Sequence, residues 1–299
     1  MRALALLFAF LPLSCRSAGA GALASAHDKP FWRAIVAANY APPQGADVPE
    51  LARELAATAG STDPELRDEL GFEISSRWVR RPGILGDEDV RALLNEHLEH
   101  IHEGLGEGEG DGVFLRAFSA LHLAQFVARD LRTPYLDDEQ RARLVHAACR
   151  VLREERDRRG WVVGKGWAHA IAHSADLLAN LAREPQLTPQ LQSMMLDALD
   201  GALEGAYSFG ESGRLAAVLA YLATRADFVE PELERHLAQW AREAKEVWTT
   251  QPFDPAAFHK AENVKSLLKD VLLGILLDPK ASESERKAAD AIRAAFFGG

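Results

Sequence analysis

Apolar residues recur three and four positions apart along nearly the whole chain, the spacing that buries one face of a helix. Start signals punctuate the pattern. Asp63-Pro64-Glu65 reads as an N-cap, a first-turn proline and a favourable acid; Thr188-Pro189 repeats the device, and Asp87 and Asp137 are further caps. Together they predict about a dozen helices, at roughly 28–40, 49–59, 63–80, 87–103, 112–131, 137–157, 165–183, 189–205, 210–226, 231–249, 254–277 and 281–296. Trp161-Val162-Val163 is too isolated to found a sheet. Helices of similar length joined by short Pro- and Gly-marked turns predict antiparallel pairs stacked side by side, an all-α fold of the α-solenoid or α-α superhelix kind. No fixed repeat period is visible. The two longer connections, APPQGAD before Val48 and GLGEGEGDG from Gly104 to Gly112, do not read as linkers, so residues 28–299 are expected to form one domain.

Residues 1–20 break the pattern: one positive charge at Arg2, an apolar run from Ala3 to Leu13, then Ser14-Cys15 and a string of small residues. This is the layout of a secretory signal peptide, too short to span a bilayer as a stable helix, and 21–27 read as a flexible leader. Cys15 directly after the apolar run resembles the lipobox of bacterial lipoproteins, with Pro12 where that pattern prefers Leu; cleavage after Ala18-Gly19-Ala20 is the alternative. Both predict export, either as a lipoprotein of the bacterial cell envelope or to the periplasm or medium, with the lipid on Cys15 as the only expected membrane attachment. Cys149, the one other cysteine, sits in LVHAACRVL and reads as a small buried hydrophobe without a disulfide partner in the mature domain.

With 47% hydrophobic and 26% charged residues, the 299-residue chain has ample material for a core. Its net charge of -10 argues against nucleic acid, whose phosphates an acidic surface repels. No basic tract compensates, because Arg156, Arg158 and Arg159 alternate with Glu154, Glu155 and Asp157.

The chemistry concentrates in GWAHAIAHSADLL, residues 166–178. On a helical wheel His169, His173, Asp176 and Asn180 form one polar stripe, and no Lys, Glu or Arg occurs between Gly166 and Ala182, so the stripe is expected to face a crevice or a buried junction. Three uses are open. His169 and His173, four apart, have the spacing of two metal ligands for a divalent ion completed from another helix, although the glutamate of the HExxH zinc-protease helix is absent because Ala170 follows His169. Asp176 accepting a proton from His173 would make an acid–base pair. Alternatively, the stripe locks neighbouring helices together.

Further candidates for the same pocket are Arg116, which needs a carboxylate or an anion in its apolar context, and Glu211, whose three-residue spacing from Arg214 suits a local ion pair. Asp111, which with Arg116 flanks Val113 and Phe114, is open to the same pocket and also reads as an N-cap. Trp161 and Trp167, in a glycine-punctuated loop entering the histidine stretch, read as a ligand-binding wall or as core anchors. His97, His100 and His102 on a Glu-rich segment read as a solvated face, and the acidic 104–112 segment as a surface loop.

From Phe31 onward, FWRAIVAANYAPP, GSTDPELRDELGFEI, GLGEGEGDGVFLRAFSALHLA, RDLRTPYL, EERDRRGWVVGKGWAHAIAHSADLLANLA, FGESGRLAAVL and NVKSLLKDVLLGIL resemble the uncharacterised bacterial family called domain of unknown function 2785. The resemblance implies an all-helical, HEAT-like architecture and carries over no catalytic residue. Three functional readings follow. The first is an exported scaffold binding a small polar or anionic ligand around His169, His173 and Asp176; the second is a hydrolase or lyase, metal-dependent or not, using His173 and Asp176; the third is a purely structural or protein-interaction solenoid.

Overall fold

The computed structural model describes residues 27–205 and 207–297; the expected signal peptide, Cys15 and most of the leader lie outside them. The described residues include twelve α-helices. Asp28 caps α1 (Lys29–Ala37) and Asp47 caps α2 (Val48–Ala57), each carboxylate accepting a first-turn N–H. A single helix was expected over 63–80; instead, a 3-10 turn (Thr58–Gly60) precedes a π-helical segment (Glu65–Phe72) that runs into α3 (Glu73–Arg80). Asp63 caps that segment as expected, accepting from Glu65 and Leu66 N–H.

Next come α4 (Asp87–His100), α5 (Gly112–Asp130) and α6 (Asp138–Glu154). Asp137 and Gln140 close a capping box on α6. Asp87 is not a cap: it is the first residue of α4 and its carboxylate pairs with Arg129. The chain continues through α7 (Ala170–Leu181), α8 (Pro189–Ala202), capped by Thr188, then α9 (Glu211–Ala223), α10 (Glu230–Glu246), α11 (Pro255–Leu277) and α12 (Glu283–Ile292). Among the described residues, no helix is long and apolar enough to cross a membrane.

The helices stack in two layers. In one, α3 packs on α5, α5 on α7, α7 on α9 and α9 on α11; in the other, α2 packs on α4, α6 on α8 and α8 on α10. Contacts of α4 with α5, α6 with α7 and α10 with α11 join the layers, while α12 closes the end against α9, α10 and α11. The all-α stack of helix pairs is therefore present. Its centre is α7, clasped by α5, α6 and α9, with ten of its twelve residues buried. Each fully buried leucine there contributes roughly 1.5–3 kcal/mol, and a Lys or Glu in its place would strand a charge, which explains why the segment holds no Lys, Arg or Glu. Cys149 is fully buried on α6, where burial pushes its thiol up to about 12.

Candidate functional site

The histidine stretch is not one continuous helix. Trp161–Val162 and Gly166–Trp167 form β1 and β2 of a short antiparallel hairpin, with Trp161 opposite Trp167. Gly164 in its turn and Gly166 at the start of β2 stand at φ of 78° and 79°, which favours glycine. The ladder then runs on through Ala168 N–H to Gly160 O (2.8 Å) and His169 N–H to Arg159 O (3.1 Å), so those two residues cannot yet be helical. Helix α7 consequently starts at Ala170, five residues later than expected, and His169 occupies its N-cap position in the left-handed region, φ 56° and ψ 32°. That conformation costs a non-glycine residue roughly 1–2 kcal/mol. The His169 ring is held by stacking on Trp167 at 4.4 Å between centroids.

Arg67, fully buried, anchors the hairpin from below. Its guanidinium donates to Ser61 O, Lys165 O and Trp167 O and lies over the rings of Phe114 and Phe118. Sequence reading missed this residue, because an arginine in DPELRDEL looks like part of a solvated helix face.

The polar stripe of α7 is spent mainly on helix–helix bonds. His173 Nδ1 donates to Ala117 O on α5 (3.2 Å), its ring meets Phe118 edge-on, and Asn180 Nδ2 donates to Ala124 O one stretch further along α5 (3.1 Å). On the other side Asp176 pairs with Arg214 of α9. No hydrogen bond joins His173 to Asp176, so the pairing expected from sequence does not form; the two side chains are drawn to opposite neighbours. The expected local pair of Glu211 with Arg214 is absent as well. Glu211 turns back to accept Phe209 N–H (2.9 Å) and stands 3.9 Å from His169 Nε2, beyond hydrogen-bond range.

Burial sets the protonation of the group. It pushes His173 down to about 3, reinforced by His169 and Arg214, and it also lowers His169, opposed by Glu211. It raises Asp176 to about 6 against the pull of Arg214. Both imidazoles are thus neutral at physiological pH.

Arg116 does not join this group. Its guanidinium is buried in a two-pronged pair with Glu155 (2.6 and 3.1 Å) and also donates to Glu103 O. Asp111 pairs with Lys165. Trp161 and Trp167 are not core anchors: they are 50% and 38% exposed, and Phe209, unremarked in the sequence, joins them at 45%. Trp167 meets both neighbours edge-on, at 5.0 Å to Trp161 and 5.7 Å to Phe209. Gly160 lets Phe209 approach, since a Cβ there would lie 2.2 Å from the ring.

Among the described residues, no group of three or more His, Cys, Asp or Glu is arranged to hold a metal. His169 and His173 therefore gain no third ligand from the described residues. The expectation of a solvated face before the glycine loop is corrected at His97, which is fully buried and stacks flat on His122 at 4.5 Å. Helix α4 packs this side against α5, where Ser119 and Ser75 hydrogen-bond the two rings and burial holds both neutral.

Comparison with curated proteins and with solved structures returns no match. Residues 101–273 match the family model described as "Protein of unknown function (DUF2785)". The match takes in α5 to α10, most of α11, the tryptophan hairpin, both histidines and the Asp176–Arg214 pair. Covering more than half of the chain, it places the protein in the DUF2785 family.

Proposed function

We propose that this protein is a binding scaffold whose recognition surface is the hairpin face formed by Trp161, Trp167 and Phe209, beside the Asp176–Arg214 pair. The observation that carries the reading is the exposure of these three rings on a braced element, where solvent contact gains nothing for folding. The ligand is a small polar molecule with one apolar face: that face lies against the tryptophans, and its hydrogen-bonding edge meets Arg214 and Asp176. Glu211 and Asp176 outnumber Arg214 here, which favours a neutral ligand over the anion the sequence also allowed.

Acid–base catalysis by His173 is the weaker reading. A group held neutral down to about 3, with Nδ1 committed to a backbone carbonyl, is poorly matched to proton transfer near neutral pH. The bracing role of His173 and Asn180 is compatible with a scaffold. Export, with acylation of Cys15 or cleavage after Ala20, belongs to the same proposal and makes the protein an extracytoplasmic binder.

The test is titration of intrinsic tryptophan fluorescence with monosaccharides, polyols and nucleosides at millimolar concentration. A saturable change lost in Trp161→Ala and Arg214→Gln, both of which keep the wild-type melting temperature, is expected. No response across the panel, combined with a melting temperature lowered by Trp161→Ala, would show that the rings serve stability alone. Cell fractionation of wild type and Cys15→Ser tests the anchor: soluble wild type removes it.

A further inference from the structure

The C-terminal ends of α1, α3 and α5 converge, and the residues just beyond or at those ends surround a pocket of about 370 Å³ lined by Asn39, Tyr40, Arg77, Arg80, Arg81 and Arg132. Four arginines line it in a protein of net charge -10, and no carboxylate does. Only Arg77 has an acidic partner, the exposed Glu73 one turn back at 3.2 Å. Arg80 makes one long bond to Ser76 O (3.4 Å), and the side chains of Arg81 and Arg132 have neither an ion pair nor a hydrogen bond among the described residues.

Basic side chains at helix C-termini often serve the helix dipole. Here that work is already assigned. Arg129 donates to Val79 O and Leu85 O at and beyond the end of α3, and Trp78 Nε1 donates to Tyr40 O after α1. Arg77 and Arg81 are therefore not needed to cap α1 or α3. Apart from the Arg77–Glu73 pair, no carboxylate offsets the mutual repulsion of the four arginines among the described residues.

The wall is also built rather than loose. Asn39 and Tyr40 are both left-handed, at φ 54° and 62°, fixed by Asn39 N–H to Val36 O and Tyr40 N–H to Ile35 O. This turns the Tyr40 ring under Arg77, whose guanidinium carbon lies 4.0 Å from the ring centroid, so one fork is oriented before any ligand arrives.

We propose that this pocket binds a phosphate-class anion, with Arg77 and Arg80 as the oriented wall and Arg81 and Arg132 closing over the ligand. Planar guanidinium forks match the oxygens of a phosphate two at a time, and the volume admits a pyrophosphate or a phosphate bearing a small substituent. The site is separate from the hairpin face and does not depend on it. The phosphate comes either from a soluble phosphorylated molecule or from an anionic phospholipid headgroup.

Calorimetric titration with inorganic pyrophosphate, and co-sedimentation with phosphatidylcholine vesicles with and without phosphatidylglycerol, separate the two sources. The expected result is one-to-one binding of pyrophosphate, or sedimentation that requires phosphatidylglycerol. Either must weaken about tenfold or more in Arg81→Gln/Arg132→Gln and stay unchanged in the control Arg293→Gln. All three substituted side chains are exposed, so folding is preserved and is checked by the melting temperature. Pyrophosphate binding identifies the soluble source, and vesicle binding without it identifies the headgroup. Binding of neither probe, or equal weakening in the control, overturns the proposal.

Discussion

Replacing His173 with Asn isolates the titration of one buried imidazole. The Asn amide can still donate to Ala117 O, as Nδ1 does, but it cannot be protonated. Near neutral pH the variant loses ring contact with Phe118 and leaves a small void, at a cost of about 1 kcal/mol. Acid reverses the comparison. Folded His173 takes a proton only near 3, whereas the unfolded chain takes one at about 6.5, so between those values the unfolded wild type binds an extra proton and stability falls as pH falls.

From about pH 7.5 to about pH 5 this removes about 2 kcal/mol from the wild type and nothing from the variant. Asp176 runs the other way: its raised carboxyl is protonated in the folded state first, which stabilises the fold as pH drops through about 6. That contribution, and those of the neighbouring His169, Arg214 and Arg67, are present in both proteins and cancel in the difference. Urea unfolding at the two pH values gives the result directly. With a slope near 3 kcal/mol/M, the midpoint difference between the proteins shifts by roughly 0.7 M in favour of the variant at the lower pH. Midpoints that stay parallel would refute the claim that His173 is buried and neutral.

Arg116→Leu leaves Glu155 buried with no cation and is expected to cost about 3–5 kcal/mol in urea unfolding, while adding Glu155→Leu recovers part of it; a near-neutral single variant would contradict the buried pair. Gly160→Ala forces Phe209 off its seat and is expected to lower stability by about 1–3 kcal/mol and alter tryptophan fluorescence together, whereas a change in neither would show that the hairpin and Phe209 are not in contact. In a Cys15→Ser protein, Cys149 is expected to resist thiol reagents until urea unfolds the chain; labelling of the native protein would disprove its burial.

Much of the helical scaffold was legible because periodicity and capping are local. Asp63, Asp137 and Thr188 perform in the structure the capping that their neighbours in sequence advertise. Asp87 shows where that reading ends: the same residue type, one position inside the helix, serves a distant arginine instead. The candidate site was legible as a location but not as a network. His173 and Asp176, a plausible pair in sequence, bond elsewhere because α5 and α9 present Ala117 O and Arg214 to them, and with Arg214 taken by Asp176, Glu211 accepts Phe209 N–H instead.

By itself, the sequence determined the all-α class, most helix starts and the absence of Lys, Arg and Glu from α7, since these depend on interactions within a few residues and on the cost of burying charge. Only the tertiary structure decided that His169 occupies the N-cap position of α7 with a left-handed backbone, that Arg67 supports the hairpin, that His97 stacks on His122, and that four arginines share one pocket. Arg67 with the hairpin, His97 with His122 and Arg132 with the arginines at the end of α3 are joined across separations along the chain that say nothing about distance in space, and packing of the helix layers is what brings them together.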